Sequence, residues 1–226
     1  YVEKQKNGIK LQQKMIVEGH QKRSSPAKNV ILMIADGFGP ASETFGRTYS
    51  QHVNRMSYYY VTPLDEILVG SSRTGSYDSL VTDSAAGATA FSCGLKTYNN
   101  SIGVDPKKVP CGTVLEAAKE LGFATGLVVT SRITHATTAS FAAHVVHRDM
   151  ESEIAVQYIG DYPLGRTVDL MLGGGRCYFI PNNTEGSCRV GSEAQRNRNL
   201  IEESTELGFK YISTRREFDE LNPKRD

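Results

Sequence analysis

A serine that follows an aspartate begins a run of small residues, and this is the segment best suited to chemistry. Asp83 and Ser84 precede the sequence AAGATA, which predicts a helix that starts at Ser84 and packs closely against its neighbours. The first turn of a helix has N–H groups without helical acceptors and the positive end of the helix dipole, and both favour a phosphate. The alternative is that Asp83 or Ser84 serves only as the N-cap of the helix.

Two further groups of polar residues follow apolar runs. Asp36 comes directly after the run 30–35, and the segment THATTASFAAHVVHR, which ends at Arg148, follows the run 123–130. In open α/β sheets, functional groups collect beyond the carboxyl ends of the strands. Turn chemistry alone explains an Asp-Gly pair, and a surface His or a helix-face Arg is ordinary by itself. The joint presence of all three groups is what favours a functional site.

The apolar runs alternate with helical patterns. We expect strands at 29–35, 123–130, 168–172 and 209–212, and helices at 112–121, 199–207 and 214–221. Such alternation predicts a parallel sheet covered by helices on both faces. Residues 1–28 form a polar, Lys/Gln-rich lead-in, and the alternation still in progress at Asp226 predicts that the domain continues beyond it. The run Gly173-Gly174-Gly175 is not followed by G-K-[ST], so it indicates a turn and not a phosphate loop.

Composition excludes some classes of partner. The 226 residues carry a net charge of +1, which gives no electrostatic reason to expect nucleic acid. The longest apolar run, 30–35, is too short to cross a bilayer, so we expect any membrane anchor to lie outside this chain. The chain starts at Tyr1 without an apolar signal region, and we expect an upstream segment.

The four cysteines form no C-x-x-C pair, which argues against a structural zinc site. Cys177 and Cys188 flank a polar loop with a glycosylation sequon at Asn182, and a second sequon starts at Asn99. We predict a Cys177–Cys188 disulfide and a glycoprotein of the oxidising secretory pathway. The sequence leaves Cys93 and Cys111 unassigned.

Three segments resemble successive signatures of alkaline phosphatases: VILMIADGFGP, DSLVTDSAAGATAFSCGLKTYNNSIGVD and THATTASFAAHVVHR. The similarity runs from about residue 28 to 226 and is greatest to the vacuolar, membrane-anchored branch. It implies a three-layer αβα fold with a largely parallel central sheet, and residues 29–226 as the N-terminal part of one catalytic domain. The implied activity is hydrolysis of phosphate monoesters through a phosphoserine, with two Zn²⁺ ions and one Mg²⁺ ion.

The resemblance also assigns the catalytic roles. Ser84 becomes the phosphorylated nucleophile and a zinc ligand. Arg148 holds two phosphate oxygens through its planar guanidinium, and Asp83 orients Arg148. These residue types suit the reaction, because phosphoryl transfer needs positive charge on the equatorial oxygens.

The remaining implied roles concern metals and partners. Asp36 bridges the magnesium and one zinc, Thr137 ligates magnesium through its hydroxyl, and His135 contacts the magnesium site through water. The expected partners are phosphomonoester substrates and a second copy of the complete chain in a homodimer. The expected location is the vacuolar lumen or the extracellular face of a membrane.

The metal ligands also define the alternatives. In this family the other ligands come from the second half of the domain, and the histidines of this chain do not complete such a set. A non-catalytic fragment is therefore the alternative to an enzyme. The sulfatase branch of the superfamily needs a C/S-x-P-x-R motif that this sequence lacks, and pyrophosphatase-type members usually use a threonine nucleophile, so Asp83-Ser84-Ala85 favours the phosphomonoesterase.

Overall fold

The computed structural model describes residues 27–181 and 197–222. The chain divides between Ala35 and Asp36 into two units. In the first unit, residues 27–35 form neither helix nor strand, and Val30, Ile31 and Met33 are 87–89% exposed. The prediction of a central strand at 29–35 is therefore wrong for this structure. An apolar run favours a strand, but a strand also requires a neighbour that pairs with its N–H and C=O groups.

The second unit alternates helices with two strands. In its described part the elements follow in the order α1 (Pro40–Val53), α2 (Pro63–Ile67), α3 (Ser84–Cys93), α4 (Val114–Glu120), β1 (Gly126–Arg132), α5 (Ala136–Ala139), α6 (Glu151–Tyr158), β2 (Leu170–Gly174), a 3-10 helix (Arg176–Tyr178), α7 (Leu200–Glu206) and α8 (Arg215–Asp219). The helices predicted at 112–121, 199–207 and 214–221 are confirmed with shorter bounds, as α4, α7 and α8.

The two strands are parallel, with Gly126 opposite Leu170 and Val128 opposite Leu172. Asp169 fixes the start of the pairing, because its carboxylate accepts the N–H of Thr125 at 3.0 Å and the Lys119 ammonium at 2.6 Å. The strands predicted at 123–130 and 168–172 are thus confirmed, although each begins two or three residues later. Residues 209–212 are not in a strand, so that prediction is wrong for this structure. A parallel pair joined through helices is an α/β arrangement, as predicted.

The core that supports α3 is built from small side chains. Ala85, Ala86 and Ala88 are at most 3% exposed, α3 packs against α5, and Ala136 and Ala139 of α5 are buried as well. The Ser140 hydroxyl donates to the Ala85 carbonyl at 3.2 Å, which needs a close approach of the two backbones. The small residues after Ser84 are therefore a packing requirement, and this packing fixes the position of the helix start.

Candidate active site

Ser84 is the first residue of α3, and Asp83 is its N-cap. Asp83 Oδ1 accepts the N–H of Ala86 at 2.9 Å. The N–H groups of Ser84 and Ala85 belong to the first turn, where the helix itself supplies no acceptor. The capping role therefore falls to Asp83, and Ser84 keeps its half-buried hydroxyl beside two N–H groups of the helix start.

Arg148 lies against the same carboxylate. Its Nη1 donates to Asp83 Oδ2 at 3.1 Å, and the two side chains are 21% and 20% exposed. The same Oδ2 accepts the backbone N–H of Asn100 at 2.9 Å, and the backbone N–H of Arg148 donates to the Asn100 carbonyl at 2.7 Å. The Asp83–Arg148 pair is therefore held through both side chain and backbone, and it places a guanidinium next to the start of α3.

His135, the residue before α5, contacts the same guanidinium. Its Nε2 lies 3.1 Å from Arg148 Nη2. A guanidinium has no acceptor, so Nε2 accepts this hydrogen bond and the imidazole proton sits on Nδ1. Burial, together with the positive charges of Arg148 and Arg132, lowers the His135 pKa. His135 is therefore a neutral imidazole near neutral pH and above.

Asp36 and Thr137 meet although they are 101 residues apart in the chain. The Thr137 hydroxyl donates to Asp36 Oδ2 at 3.1 Å. Thr137 lies in α5, two residues after His135, and Asp36 is exposed. The structure therefore forms two contact groups from the predicted residues: Asp83, Arg148 and His135 in one, and Asp36 with Thr137 in the other. Ser84 adjoins the first through Asp83.

The predicted metals differ in how well the described residues can hold them. A carboxylate and a hydroxyl 3.1 Å apart, as at Asp36 and Thr137, are hard oxygen donors of the kind that Mg²⁺ takes. Zinc takes three or four protein ligands. Within 27–181 and 197–222, no group of three or more His, Cys, Asp and Glu side chains could hold a metal ion. These residues fit part of a magnesium site and do not fit a complete zinc site.

The match to a known protein family spans nearly the whole chain. A family model described as Alkaline phosphatase matches residues 27–226, which include Asp36, Ser84 and Arg148. The chain belongs to the alkaline phosphatase family. The resemblance seen in the three sequence segments is thereby confirmed.

Two fungal alkaline phosphatases are among the curated relatives. The Repressible alkaline phosphatase of Saccharomyces cerevisiae is 54% identical over 199 residues, which cover 88% of this chain and 35% of that protein. The Alkaline phosphatase of Schizosaccharomyces pombe is 51% identical over 196 residues, covering 86% of this chain and 36% of that protein. The chain thus spans about a third of the length of these relatives.

Solved alkaline phosphatases share the fold. The alkaline phosphatase from the Antarctic bacterium TAB5 superposes with a TM-score of 0.63 at 34% identity, over 84% of this chain and 49% of that one. The Thermus thermophilus alkaline phosphatase gives a TM-score of 0.68 at 30% identity, over 84% and 37%. The predicted α/β class of the alkaline phosphatase type is confirmed by these neighbours.

Sequence analysis missed the residues that support this site. The sequence marks Asn99 and Asn100 only as part of a glycosylation sequon, yet both contact Asp83. Asn100 has a φ of +72°, a conformation that asparagine tolerates better than most residues. The Asn-Asn pair so soon after a helix was the available signal for a turn that folds back on the helix start.

A buried ion pair was also missed. His144 Nε2 lies 2.6 Å from Glu116 Oε1, His144 Nδ1 lies 2.6 Å from the Gly103 carbonyl, and the two side chains are 2% and 7% exposed. Burial lowers the His144 pKa, but the bonds to Glu116 and Gly103 outweigh it, and the His144 pKa is raised. Burial raises the Glu116 pKa, but the His144 bond and the Thr113 N–H outweigh it, and the Glu116 pKa is lowered. Both shifts favour the charged forms of the pair, an imidazolium and a carboxylate.

The cysteines give one new pairing. Cys93, the last residue of α3, is bonded to Cys111, 18 residues later, so the far end of α3 is tied covalently to the segment before α4. The predicted Cys177–Cys188 disulfide includes a residue outside the described ranges and stays a prediction. The sequon at Asn182 also lies outside them.

Proposed function

We propose that this chain is the amino-terminal part of an alkaline phosphatase that hydrolyses phosphate monoesters through a phosphoserine at Ser84. The observation that supports this most is the Asp83–Arg148 ion pair at the start of α3, at 3.1 Å. It brings a guanidinium to the N-cap of the helix that begins at Ser84, where the first-turn N–H groups have no acceptor within the helix. These are the groups that a phosphoryl group requires around its three outer oxygens.

In this proposal each residue has a defined task. The guanidinium of Arg148 binds two phosphate oxygens, and Asp83 holds that guanidinium by accepting from Nη1. His135 is neutral and accepts a hydrogen bond from Nη2, so it restricts the orientation of the guanidinium from a second side. Ser84 Oγ loses its proton to water and attacks phosphorus, the P–O bond to the ester oxygen breaks with its electron pair on that oxygen, and the leaving oxygen takes a proton from water. Water then cleaves the phosphoserine, which releases phosphate and restores the hydroxyl.

Metal dependence is part of the proposal. Asp36 and Thr137 would hold Mg²⁺ together, with His135 nearby, and Asp36 and Ser84 would contribute to zinc. A bound cation supplies charge that favours the ionised form of the Ser84 hydroxyl. One of the TAB5 alkaline phosphatase structures that this fold resembles is a mutant with Mg bound in its M3 site. Because the described residues lack a complete zinc site, we propose that the remaining ligands come from the rest of the domain.

The wider setting is also proposed. Residues 29–226 form the N-terminal part of a single catalytic domain, residues 1–28 precede it, and the complete protein is a homodimer. The Cys93–Cys111 disulfide supports a secretory location, in the vacuolar lumen or on the extracellular face. Among the described residues, no helix is both long and apolar enough to cross a membrane.

The test is a hydrolysis assay of the full-length protein with a chromogenic phosphomonoester at alkaline pH, after dialysis against zinc and magnesium. We expect turnover that disappears in Ser84→Ala. Arg148→Ala should weaken inhibition by inorganic phosphate, since hydrogen bonds to a charged group are lost, at a cost of about 2–3 kcal/mol. The matched control is Arg216→Ala, which removes an arginine that is 85% exposed on α8.

Two results count against the proposal. Turnover that survives in Ser84→Ala contradicts the role of Ser84 as nucleophile. A phosphate inhibition constant unchanged in Arg148→Ala contradicts the role of Arg148 in binding phosphate. A sulfate ester and a pyrophosphate, assayed in parallel, test the other branches of the superfamily. Faster turnover of either one would replace the phosphomonoesterase assignment.

A further inference from the structure

The side chain of Asn99 holds the backbone that leads into Ser84 at two points. The N–H of Asp83 donates to Asn99 Oδ1 at 3.1 Å, and Asn99 Nδ2 donates to the Val81 carbonyl at 3.0 Å. These backbone groups lie on either side of Thr82. One planar amide therefore fixes the chain from residue 81 to residue 83, immediately before the proposed nucleophile.

The backbone of Asn99 is itself held by Asp78. Its backbone N–H donates to Asp78 Oδ1 at 3.0 Å, and the Ser76 hydroxyl donates to the same oxygen at 2.9 Å. The N–H of Asn99 and the hydroxyl of Ser76 lower the Asp78 pKa, so this acceptor stays ionised. The next residue, Asn100, donates its N–H to Asp83 Oδ2. The two asparagines thus engage both the backbone and the carboxylate of Asp83.

The chemistry of the position requires an amide of this length. The site needs an acceptor for one N–H and a donor for one carbonyl at the same time, and the planar amides of Asn and Gln offer both. Gln is longer by one methylene. An ionised Asp offers acceptors only, and one of its oxygens would face the Val81 carbonyl.

We infer that Asn99 is a positioning residue for the nucleophile, and that its sequon carries no glycan in the active protein. The first part rests on the proposed role of Ser84. The second is supported by the same nitrogen, because a glycan would replace one of the two hydrogens of Nδ2 and place a sugar next to its bond with the Val81 carbonyl. The sequon hydroxyl, at Ser101, is fully buried and donates to the Tyr98 carbonyl at 2.7 Å.

The experiment compares Asn99→Ala and the isosteric Asn99→Asp with the wild-type full-length protein, using a chromogenic phosphomonoester. We expect kcat to fall about tenfold in both variants, because a small displacement of a reacting group is costly. The phosphate inhibition constant should change less than about twofold, since Arg148 keeps its partner Asp83. The matched control is Asn54→Ala, an exposed asparagine after α1 whose amide bonds to Ser50, and it should retain wild-type kcat.

The outcomes separate the two proposals. Unchanged kcat in both Asn99 variants of an active enzyme overturns the positioning role and leaves the phosphatase assignment standing. Loss of kcat with a parallel loss of phosphate affinity and of near-UV circular dichroism shows a purely structural residue, and also overturns it. An inactive wild-type protein refutes the proposed function, and the positioning role with it. Peptide mapping after glycosidase treatment in heavy-oxygen water decides the second part, because a glycan found at Asn99 in active protein contradicts it.

Discussion

The carboxylate of Asp83 serves Ala86 and Arg148 with different oxygens: Oδ1 accepts the Ala86 N–H at 2.9 Å, and Oδ2 accepts Arg148 Nη1 at 3.1 Å. Capping the helix and orienting the guanidinium are therefore separable by mutation.

We predict that Asp83→Asn keeps the cap and loses the orientation of Arg148. An asparagine can still accept from Ala86, but its amide nitrogen would then face Arg148 and the Asn100 N–H, which are both donors. Phosphate inhibition should weaken about tenfold with little change in the unfolding midpoint, whereas Asp83→Ala should also lose about 1 kcal/mol of stability. Asp219→Asn on α8 is the control. Equal phosphate inhibition in Asp83→Asn and wild type would contradict this division of roles.

The Glu116–His144 pair predicts a bounded pH range of stability. The lowered Glu116 pKa contributes stability above the ordinary glutamate value of 4.5, and this is lost as pH falls through the folded pKa. The raised His144 pKa contributes stability below the ordinary histidine value of 6.5, and this is lost as pH rises through the folded pKa. Urea unfolding of the chain should therefore show this pair contributing most between these two values.

A variant without one of the two charged partners tests whether this ion pair causes the pH dependence of stability. Glu116→Gln leaves His144 buried without its carboxylate, so the free energy of unfolding should fall by about 3–5 kcal/mol in that range. The difference from wild type should shrink toward alkaline pH, where His144 is neutral. A difference that stays constant from pH 4 to pH 9 would show that the pair is not charged.

The Cys93–Cys111 bond predicts a stability that depends on redox state. Closing a loop of about this length stabilises a protein by roughly 3 kcal/mol, mainly by restricting the unfolded chain. Reduction should lower the unfolding midpoint. The double variant Cys93→Ala/Cys111→Ala should have a lower midpoint before reduction, and reduction should change that midpoint less than in wild type. Peptide mapping without reductant should recover the 93–111 pair, and the predicted 177–188 pair beside it. Recovery of Cys93 or Cys111 as a free thiol in secreted material contradicts the pairing and the compartment.

Part of the candidate site and part of the fold could be predicted from the sequence. Asp83 contacts Arg148, because the motifs that contain them sit at a helix start and beyond a strand. His135 also contacts Arg148, which the sequence did not predict, and the catalytic roles of the three residues stay predictions. The strand predicted at 29–35 is not formed. An apolar pattern favours a strand, but it does not show whether a neighbouring strand is present to pair with it. Local patterns specify local structure, and pairing depends on residues far along the chain.

The contacts of His144 and Asn99 could not be predicted from sequence patterns. His144 had the features of an ordinary surface histidine in the sequence, and only the fold shows Glu116 at 2.6 Å from it. Asn99 matches a glycosylation motif, and only the fold shows that its amide binds the backbone of Asp83 and Val81. Contacts between residues 15–30 positions apart, with no repeating period, leave no signal in a single sequence.

We predict that residues 1–226 alone are catalytically silent. Asp36, Thr137 and His135 are too few to hold three metal ions, and no group of three acidic, His or Cys ligands occurs in the described ranges. The isolated chain, dialysed against zinc and magnesium, should hydrolyse no chromogenic phosphomonoester at alkaline pH. It should still bind phosphate weakly through Arg148, measurable by calorimetry. Turnover that depends on Ser84 would contradict this and would show that the chain completes its metal sites by another route, such as dimerisation.

The central claim is that Ser84 becomes phosphorylated, and an acid quench tests it directly. The full-length protein is mixed with a labelled phosphomonoester, quenched in acid and digested, with Ser84→Ala and the exposed-loop variant Ser72→Ala as matched controls. We predict label on the peptide that contains Ser84 in wild type and in Ser72→Ala, because Ser84 begins α3 directly after Asp83, which holds Arg148. Ser84→Ala should carry none. Label on any other residue, or labelled enzyme in Ser84→Ala, would contradict the account.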